Sequence, residues 1–232
     1  MAVELRYFAG MSKGLGPALV AEYSGVPWKG RQELEFDAKT QWGALKPTTP
    51  FGQMPVLTLP DGTMLAQTAA IINYFGKEGG IEGKGVDYAI SQMLLAEAED
   101  IYQCMVKFMP TVTDSGLFFK LGEGSKGTRQ DYDHFFEKTL VFHIGCLEKI
   151  CAKSPSGFDG TPGGLFLFSV LYQLAVVKPD ILSAEANGGE TPAALAAWYE
   201  KTLTNDKTQK VIKGESSAGP FSKYFLSADE EP

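Results

Sequence analysis

Two short motifs in the first third of the chain carry residue types suited to binding a peptide. In PFGQMPVLTLPD, at residues 50–61, Pro55 stands at the mouth of the strand-like run VLTL and has no backbone N–H to give to a sheet. A cis Met54–Pro55 bond would turn the Met54 N–H and C=O outward, where an extended peptide could pair with them as an added strand. The alternative is an edge-strand proline with no site behind it.

The second motif is Gln67-Thr68, which stands between a predicted hairpin and a predicted helix. Thr68 is placed to cap that helix. The exposed N–H groups and the dipole at the helix start would bind a carboxylate, assisted by the Gln67 and Thr68 side chains. The alternative is an ordinary N-cap. Together the two motifs predict a strand edge for a peptide backbone beside a site for a carboxylate.

The elements that must position these motifs follow the order βαβ and then ββα, and the rest of the chain is helical. Residues 3–8 alternate apolar and polar side chains, as a strand does, and Asp61-Gly62 between apolar runs is typical of a hairpin. Apolar residues recur at helical spacing beyond a glycine-rich stretch at 79–85. The predicted strands are 3–8, 32–36, 54–59 and 63–66, and the predicted helices are 17–24, 68–78, 88–108, 135–151, 165–177 and 192–203.

Composition restricts the class of protein. The 232 residues are 44% apolar and 21% charged, which is ordinary for a globular protein with a sizeable core. The net charge of −7, with scattered basic residues, argues against a nucleic-acid partner. The cysteines Cys104, Cys146 and Cys151 form no CxxC pair, so we expect no zinc site, no disulfide framework and a reducing, cytoplasmic location. We see no signal peptide, and the longest apolar run, 13 residues at 165–177, is too short to span a bilayer.

Four motifs, together with the helical second half, resemble the cytosolic glutathione transferases. They are LRYF at 5–8, W-x-x-x-K at 42–46, PFGQMPVL at 50–57 and LAQTAAIINYF at 65–75. The tyrosine-type classes, and especially the sigma class, are the most similar. The resemblance implies an α/β plus all-α fold: a thioredoxin-like domain over 1–79, a linker over 80–86 and a helical-bundle domain over 87–232.

The resemblance also implies a function. The implied function is that of a homodimeric transferase that ionises its co-substrate glutathione for attack on a hydrophobic electrophile. No metal is implied, and isomerase or peroxidase activity would use the same thiolate. Tyr7 is the implied catalytic residue, whose hydroxyl donates to the glutathione sulfur. The residues implied for glutathione are Tyr7, Lys13, Trp42, Lys46, Gln53, Met54, Pro55, Gln67, Thr68 and Asp100 of the partner subunit. Those implied for the electrophile are Met105, Phe108, Met109 and Phe221, although an apolar stripe at helical spacing is more often part of the core. Phe51 is implied for the dimer contact, and local packing is its alternative.

The sequence departs from the family pattern at two places. The segment AGMSKGLGP at 9–17 is rich in glycine and lacks the paired arginines of typical members. The segment TPGG at 161–164 has the threonine of the family's helix-capping motif but not its acid. Ser12 is the nearest hydroxyl after Tyr7, so a serine-type enzyme is an alternative. A second alternative is a non-catalytic protein that binds a hydrophobic ligand or serves as a scaffold in a larger complex.

Overall fold

A computed structural model describes residues 2–33, 41–109 and 127–229, and gives the backbone alone at residues 33, 41 and 42. Its elements, in chain order, are β1 (Val3–Phe8), α1 (Leu15–Ser24), β2 (Trp28–Glu33), α2 (Gln41–Leu45), β3 (Val56–Thr58), β4 (Met64–Ala66), α3 (Thr68–Glu78), α4 (Val86–Phe108), α5 (Arg129–His134), α6 (Leu140–Lys153), α7 (Pro162–Val177), α8 (Ala193–Leu203) and α9 (Asp206–Ile212). Short 3₁₀ turns cover Lys46–Thr48 and Pro155–Gly157, and a π-helical turn over Phe135–Thr139 joins α5 to α6.

The strands form one mixed sheet in the order β2-β1-β3-β4. β1 runs parallel to β2 and antiparallel to β3, and β3 pairs antiparallel with β4. Leu5, in the middle of β1, lies opposite Gly30 on one side and Leu57 on the other. Both leucines are buried in the core, together with the apolar residues of α1 and α3. The thioredoxin-like arrangement expected from the sequence is therefore confirmed.

The hairpin that carries Pro55 has the predicted form. The Met54–Pro55 bond is cis, and β3 begins directly after it. At the other end, the Asp61 carboxylate accepts a hydrogen bond of 2.8 Å from the Thr63 N–H, as in an Asx turn. Gly62 between them has a φ of +88°, a conformation that glycine adopts without steric cost. The turn therefore places β3 and β4 side by side, and the residues before Pro55 lead into the start of β3.

The helical half is built around α7, whose residues from Pro162 to Leu171 are buried without interruption. Despite the missing acid, Thr161 caps this helix by accepting a hydrogen bond of 3.2 Å from the Gly164 N–H. The Gly163 N–H donates to Oγ of Ser91 on α4 at 3.0 Å. A Cβ on Gly163 would lie 1.7 Å from the Ser91 carbonyl oxygen, so this crossing of α4 and α7 requires glycine.

The second strand differs from the prediction. It begins at Trp28 instead of residue 32, and residues 34–36 lie outside the described part of the chain. Its outer edge contacts the C-terminal segment: the Gly30 N–H donates to Oγ of Ser217 at 2.9 Å, and Nε2 of Gln32 donates to the Pro220 carbonyl at 2.6 Å. These partners are distant in the sequence, so the local pattern of residue types does not reveal the strand.

Several helices also differ from the prediction. α1 begins at Leu15 and α7 at Pro162, before the predicted residues 17 and 165, and the helix predicted over 135–151 is a π-helical turn followed by α6. α2, α5 and α9 were not predicted. α5 begins with a capping box in which Thr128 and Asp131 satisfy each other's backbone N–H groups. α9 is capped by Asn205, whose side chain accepts from the Lys207 N–H at 2.9 Å. α4 begins at Val86, inside the predicted linker, and the division into two domains stays a prediction.

Candidate active site

Tyr7 lies at the end of β1, where the sheet meets the loop that leads into α1. Its side chain is half-buried, and its hydroxyl oxygen accepts a hydrogen bond of 3.1 Å from the Lys13 N–H. Burial raises the pKa of Tyr7 to about 12, although the hydrogen bond from the Lys13 backbone acts to lower it. The phenol is therefore protonated at neutral pH and can donate a hydrogen bond.

Gly14 fixes the position of the Tyr7 ring. The backbone of Gly14, at φ −89° and ψ −37°, is one that any residue adopts. A Cβ on it, however, would lie 2.3 Å from Cδ1 of Tyr7 and 3.0 Å from Cε1 of Phe221. The glycine thus lets the start of α1 close directly onto the tyrosine ring. This close approach is the structural reason for a glycine at position 14.

A cleft of about 430 Å³ opens beside Lys13 at the N-terminus of α3. The backbone N–H of Lys13 binds the Tyr7 hydroxyl, and the Lys13 side chain reaches the cleft. This residue therefore connects Tyr7 with the cleft. The residues that line the cleft are Lys13, Gln67, Thr68, Ala69, Asn73, Gln92, Leu95, Ala96, Glu99 and Phe166.

The expected capping role of Thr68 is wrong. The N-cap of α3 is Gln67, neither residue makes a side-chain capping bond, and Thr68 is the buried first residue of the helix. Gln67 has a φ of +73°, which is unusual for a residue with a Cβ. Residues with such backbone angles are concentrated at functional sites. The first N–H groups of α3 therefore have no side-chain cap at the place where Gln67, Thr68 and Ala69 line the cleft, and such groups attract an anion.

The loop before β3 carries further residues that were predicted to bind glutathione. Pro55 is buried and the ladder of β3 begins at Val56, so Met54 lies beyond the registered pairs of the sheet. Gln53 is exposed. The exposed Lys46 lies against this loop, since its Cε is 3.4 Å from the position of a Cβ on Gly52. The Trp42 side chain lies outside the described residues.

Three neighbouring acidic residues of α4 lie in different surroundings, and the role expected for Asp100 of the partner subunit stays a prediction. Asp100 is exposed and does not line the cleft, whereas Glu99 does. Glu99 accepts a hydrogen bond of 2.6 Å from Nζ of Lys13 within the same chain. Glu97 instead pairs with Nδ1 of His143 on α6 at 2.5 Å. The sequence analysis missed Glu99, because adjacent acids on a helix can be assigned to a face only once the packing is known.

The residues expected to bind the electrophile fall into two groups. Met105 and Met109 are 0% and 3% exposed and belong to the core, so they pack against other side chains instead of facing an open cleft. Phe108 and Phe221 are partly buried. The Phe108 ring packs against Phe135 with centroids 6.4 Å apart, and Phe221 lies near Gly14. A role in binding an electrophile stays a prediction for these phenylalanines.

Two absences concern residues 2–33, 41–109 and 127–229. No helix there is long and apolar enough to cross a membrane. Within the same ranges, no group of three or more His, Cys, Asp or Glu side chains is arranged to hold a metal ion.

Comparison with known proteins agrees with the geometry. Residues 14–78 match the family model described as glutathione S-transferase, N-terminal domain. The chain is 32% identical over 188 residues to glutathione S-transferase 1 of Ascaris suum, covering 78% of this chain and 84% of that protein. The crystal structure of the glutathione S-transferase from Ascaris lumbricoides superposes with a TM-score of 0.71 at 26% identity, covering 97% of this chain and all of that one. Prostaglandin synthase D of Nilaparvata lugens shares the fold, with a TM-score of 0.71 at 20% identity over 92% of this chain and 98% of its own. This chain belongs to the glutathione S-transferase family, and the resemblance seen in the sequence is confirmed.

Proposed function

We propose that this protein is a glutathione transferase that stabilises the glutathione thiolate for attack on a hydrophobic electrophile. The observation that carries the proposal is the protonated Tyr7 hydroxyl, held by the Lys13 N–H beside a cleft at the uncapped start of α3. Relatives named glutathione S-transferases support glutathione as the co-substrate. The resemblance of the sequence to the sigma class supports this assignment, and a sigma class glutathione S-transferase of Fasciola hepatica shares the fold.

The energy required is within reach of one tyrosine. A free thiol with a pKa of about 8.5 is only about 3% ionised at pH 7, and lowering that pKa by about two units requires about 2.7 kcal/mol of selective thiolate stabilisation. A hydrogen bond to a charged group contributes about 1.5–3 kcal/mol. In the proposed step the thiol proton passes to solvent, and Tyr7 keeps its own proton while donating a hydrogen bond to the thiolate sulfur. The sulfur then forms a bond to the electrophilic carbon as the bond from that carbon to its leaving group breaks, and the leaving group departs with the electron pair.

The remaining contacts would hold glutathione in a single orientation. The first turn of α3, with Gln67 and Thr68, binds the α-carboxylate of the γ-glutamyl unit, and Lys13 supplies a nearby positive charge. The Met54 backbone pairs with the cysteinyl unit, which brings the thiol to Tyr7. Trp42 and Lys46 bind the glycine carboxylate.

A homodimer completes the proposal. Phe51 is 66% exposed, which is unusual for so large an apolar side chain, and it directly precedes the glutathione loop. We infer that it inserts into a second copy of the chain. The exposed Asp100 of the partner subunit would then reach the γ-glutamyl amine, while Glu99 of the same chain lines the cleft.

The proposal is tested with Tyr7→Phe. We expect about 25-fold less bound thiolate at pH 7, a pH–rate profile shifted upward toward the free thiol's pKa, and a glutathione affinity within a few fold of wild type. Tyr23→Phe is the matched control, because the Tyr23 hydroxyl bonds Thr208 at 2.9 Å, on α9. Unchanged turnover and an unchanged profile in Tyr7→Phe would refute the proposal and favour Ser12 as the group that acts on the thiol.

One observation favours the non-catalytic alternative. Met105 and Met109 are buried, so part of the expected electrophile pocket is filled by packing. A wild-type protein that binds glutathione without lowering its thiol pKa, and that turns over no electrophile, alkene isomer or peroxide in a broad panel, would establish this alternative. The same panel distinguishes transferase from isomerase or peroxidase activity.

A further inference from the structure

The chain beyond α9 covers the outer edge of the sheet, and residues 216–229 are here called the C-terminal strap. β2 is an edge strand of the sheet, and the strap bonds to it at two points. The Gly30 N–H donates to Oγ of Ser217 at 2.9 Å, and Nε2 of Gln32 donates to the Pro220 carbonyl at 2.6 Å. A Cβ on Gly30 would lie 2.4 Å from Cα of Ala218, so the strap backbone lies directly against the strand.

The strap then bonds to the loop that follows β1. The Met11 N–H donates to the Ser222 carbonyl at 2.9 Å, and the Ser222 N–H donates to the Ala9 carbonyl at 2.7 Å. These two bonds form a parallel bridge between Gly10 and Ser222. The backbone of the strap therefore holds the backbone of this loop, whatever the side chains are.

Two further contacts fix the end of the strap. The Phe225 ring is 1% exposed and lies 5.9 Å from the Tyr102 ring of α4, in an edge-to-face arrangement. The Asp229 carboxylate accepts a hydrogen bond of 2.7 Å from Nη1 of Arg129 on α5. That ion pair is exposed to solvent and contributes little. The strap is thus held mainly by its backbone bonds and by the buried phenylalanine.

The loop that the strap holds is the turn that contacts Tyr7. The Met11 carbonyl accepts hydrogen bonds from the Gly14 N–H at 2.8 Å and from the Leu15 N–H at 2.9 Å, which closes a tight turn. Inside this turn the Lys13 N–H donates to the Tyr7 hydroxyl at 3.1 Å. Met11 is therefore bonded to the strap by its N–H and to the turn by its carbonyl.

The same turn is supported from two sides. On one side, the Ser12 carbonyl accepts a hydrogen bond of 3.1 Å from Nε2 of Gln173, a buried residue of the central helix α7. On the other side, the strap places Phe221 against Gly14, where a Cβ would lie 3.0 Å from Cε1 of Phe221 and 2.3 Å from Cδ1 of Tyr7. The position of the turn relative to Tyr7 therefore depends on both α7 and the strap.

We propose that the C-terminal strap is a positioning element for the transferase reaction: through its backbone bonds to the turn after β1, it holds the Lys13 N–H on the Tyr7 oxygen and so strengthens the hydrogen bond that Tyr7 donates to the glutathione sulfur. The inference rests on the proposed function. A phenol oxygen that accepts a hydrogen bond becomes a better donor of its own hydrogen, because hydrogen bonds in a chain polarise one another. The last residues of the protein then act on the reaction without contacting the thiol.

The test removes one backbone bond of the strap with Ser222→Pro, which has no N–H to give to the Ala9 carbonyl. Hydrogen exchange of the Met11 N–H reports release of the strap, and we expect it to become at least tenfold faster. The pKa of the bound glutathione thiol should rise by about half a unit. The value of kcat/KM should then be about threefold lower below that pKa and converge with wild type above it, with a glutathione affinity within about twofold.

The conservative variant Ser222→Ala separates the backbone from the side chain. It keeps the N–H and loses only the hydrogen bond of 3.2 Å from Oγ of Ser222 to the Ala9 carbonyl. We expect Ser222→Ala to restore most of the wild-type thiol pKa and the slow exchange of the Met11 N–H.

A second variant keeps the test decisive if Ser222→Pro does not fold. Gly30→Ala changes no residue of the strap or of the turn, yet its Cβ would require the strap to move outward by about 1 Å to reach ordinary contact at 3.4 Å. We expect the same rise in thiol pKa and the same faster exchange of the Met11 N–H. Gly145→Ala is the matched control, because a Cβ at that position of α6 meets no atom within 4 Å.

The outcomes separate this inference from the proposed function. If wild type does not lower the thiol pKa, the proposed function fails and the inference fails with it. If Tyr7→Phe raises the thiol pKa but the strap variants leave it at the wild-type value despite faster exchange of the Met11 N–H, the inference alone is overturned. It is also overturned if neither strap variant speeds that exchange, since the strap then does not hold the turn. A uniform loss of kcat at every pH, without a shift in pKa, would overturn it too, because that result indicates a structural role only.

Discussion

Replacing Gly14 by alanine should disable Tyr7 without removing any reacting group. The perturbation is purely steric, because the Gly14 backbone at φ −89° and ψ −37° suits alanine. The new Cβ would lie 2.3 Å from Cδ1 of Tyr7, where ordinary contact begins at 3.4 Å. The tyrosine ring must therefore retreat by about 1.1 Å, or α1 must move away by a similar distance.

A displacement of that size has a large kinetic consequence. Misplacement of a catalytic group by about 1 Å costs about 10²-fold in rate, so we expect kcat to fall by about two orders of magnitude. The 3.1 Å hydrogen bond from the Lys13 N–H to the Tyr7 hydroxyl should lengthen, and the pH–rate profile should move upward, as is also expected for Tyr7→Phe. Overpacking of this kind also lowers the free energy of unfolding by about 1–3 kcal/mol.

The assay is turnover of a general aromatic electrophile across pH, together with thermal unfolding. Gly145→Ala is the matched control: Gly145 lies within α6, and a Cβ there meets no atom within 4 Å. That variant should keep wild-type kinetics and gain about 0.5–1 kcal/mol of stability from its better helix propensity. A folded Gly14→Ala protein whose kcat stays within twofold of wild type would refute the reasoning.

Two further predictions concern the whole molecule. Phe51→Ala should raise the dissociation constant of a homodimer by about 10²- to 10⁴-fold in sedimentation equilibrium, because two buried phenylalanines contribute about 1.5–3 kcal/mol each. A wild-type protein that stays monomeric at micromolar concentration would contradict the dimer. Alkaline pH should destabilise the fold, because burial raises the pKa of Tyr7 from 10.0 to about 12. The folded state prefers the protonated phenol, so the contribution of Tyr7 to the free energy of unfolding is fully present below about pH 10 and is lost as pH rises toward 12. The loss for Tyr7 alone is about 2.7 kcal/mol. Denaturant unfolding in which the free energy of Tyr7→Phe falls as steeply with alkaline pH as that of wild type would disprove this.

Much of the sheet and the main helices could be predicted because their signals are local. The alternation in β1 and the Asp61-Gly62 turn depend on neighbouring residues, and both elements formed as expected. The same holds for the start of α3 at Thr68 and the end of α4 at Phe108, which follow changes of periodicity along the chain. Family motifs added the position of Tyr7 at the end of β1.

Other elements depended on partners that are far away in the sequence. β2 is set by β1 on one side and by the C-terminal segment on the other, so its start at Trp28 has no local signal. Thr68 has the residue type of a cap, yet the positive φ of Gln67 makes Gln67 the N-cap and leaves the helix start open. This difference matters, because an open helix start is what can bind a carboxylate.

The sequence by itself determined the fold class, the family and the tyrosine most suited to the chemistry, since these follow from local patterns and motifs. Only the tertiary structure decided what surrounds that tyrosine. Ser12 meets Tyr102, 90 residues away, and Gln173, 161 residues away, because α4 and α7 pack against the loop after β1. The orientation of a buried hydroxyl depends on which donors and acceptors the folded chain brings within about 3 Å of it, and sequence separation carries no information about that distance.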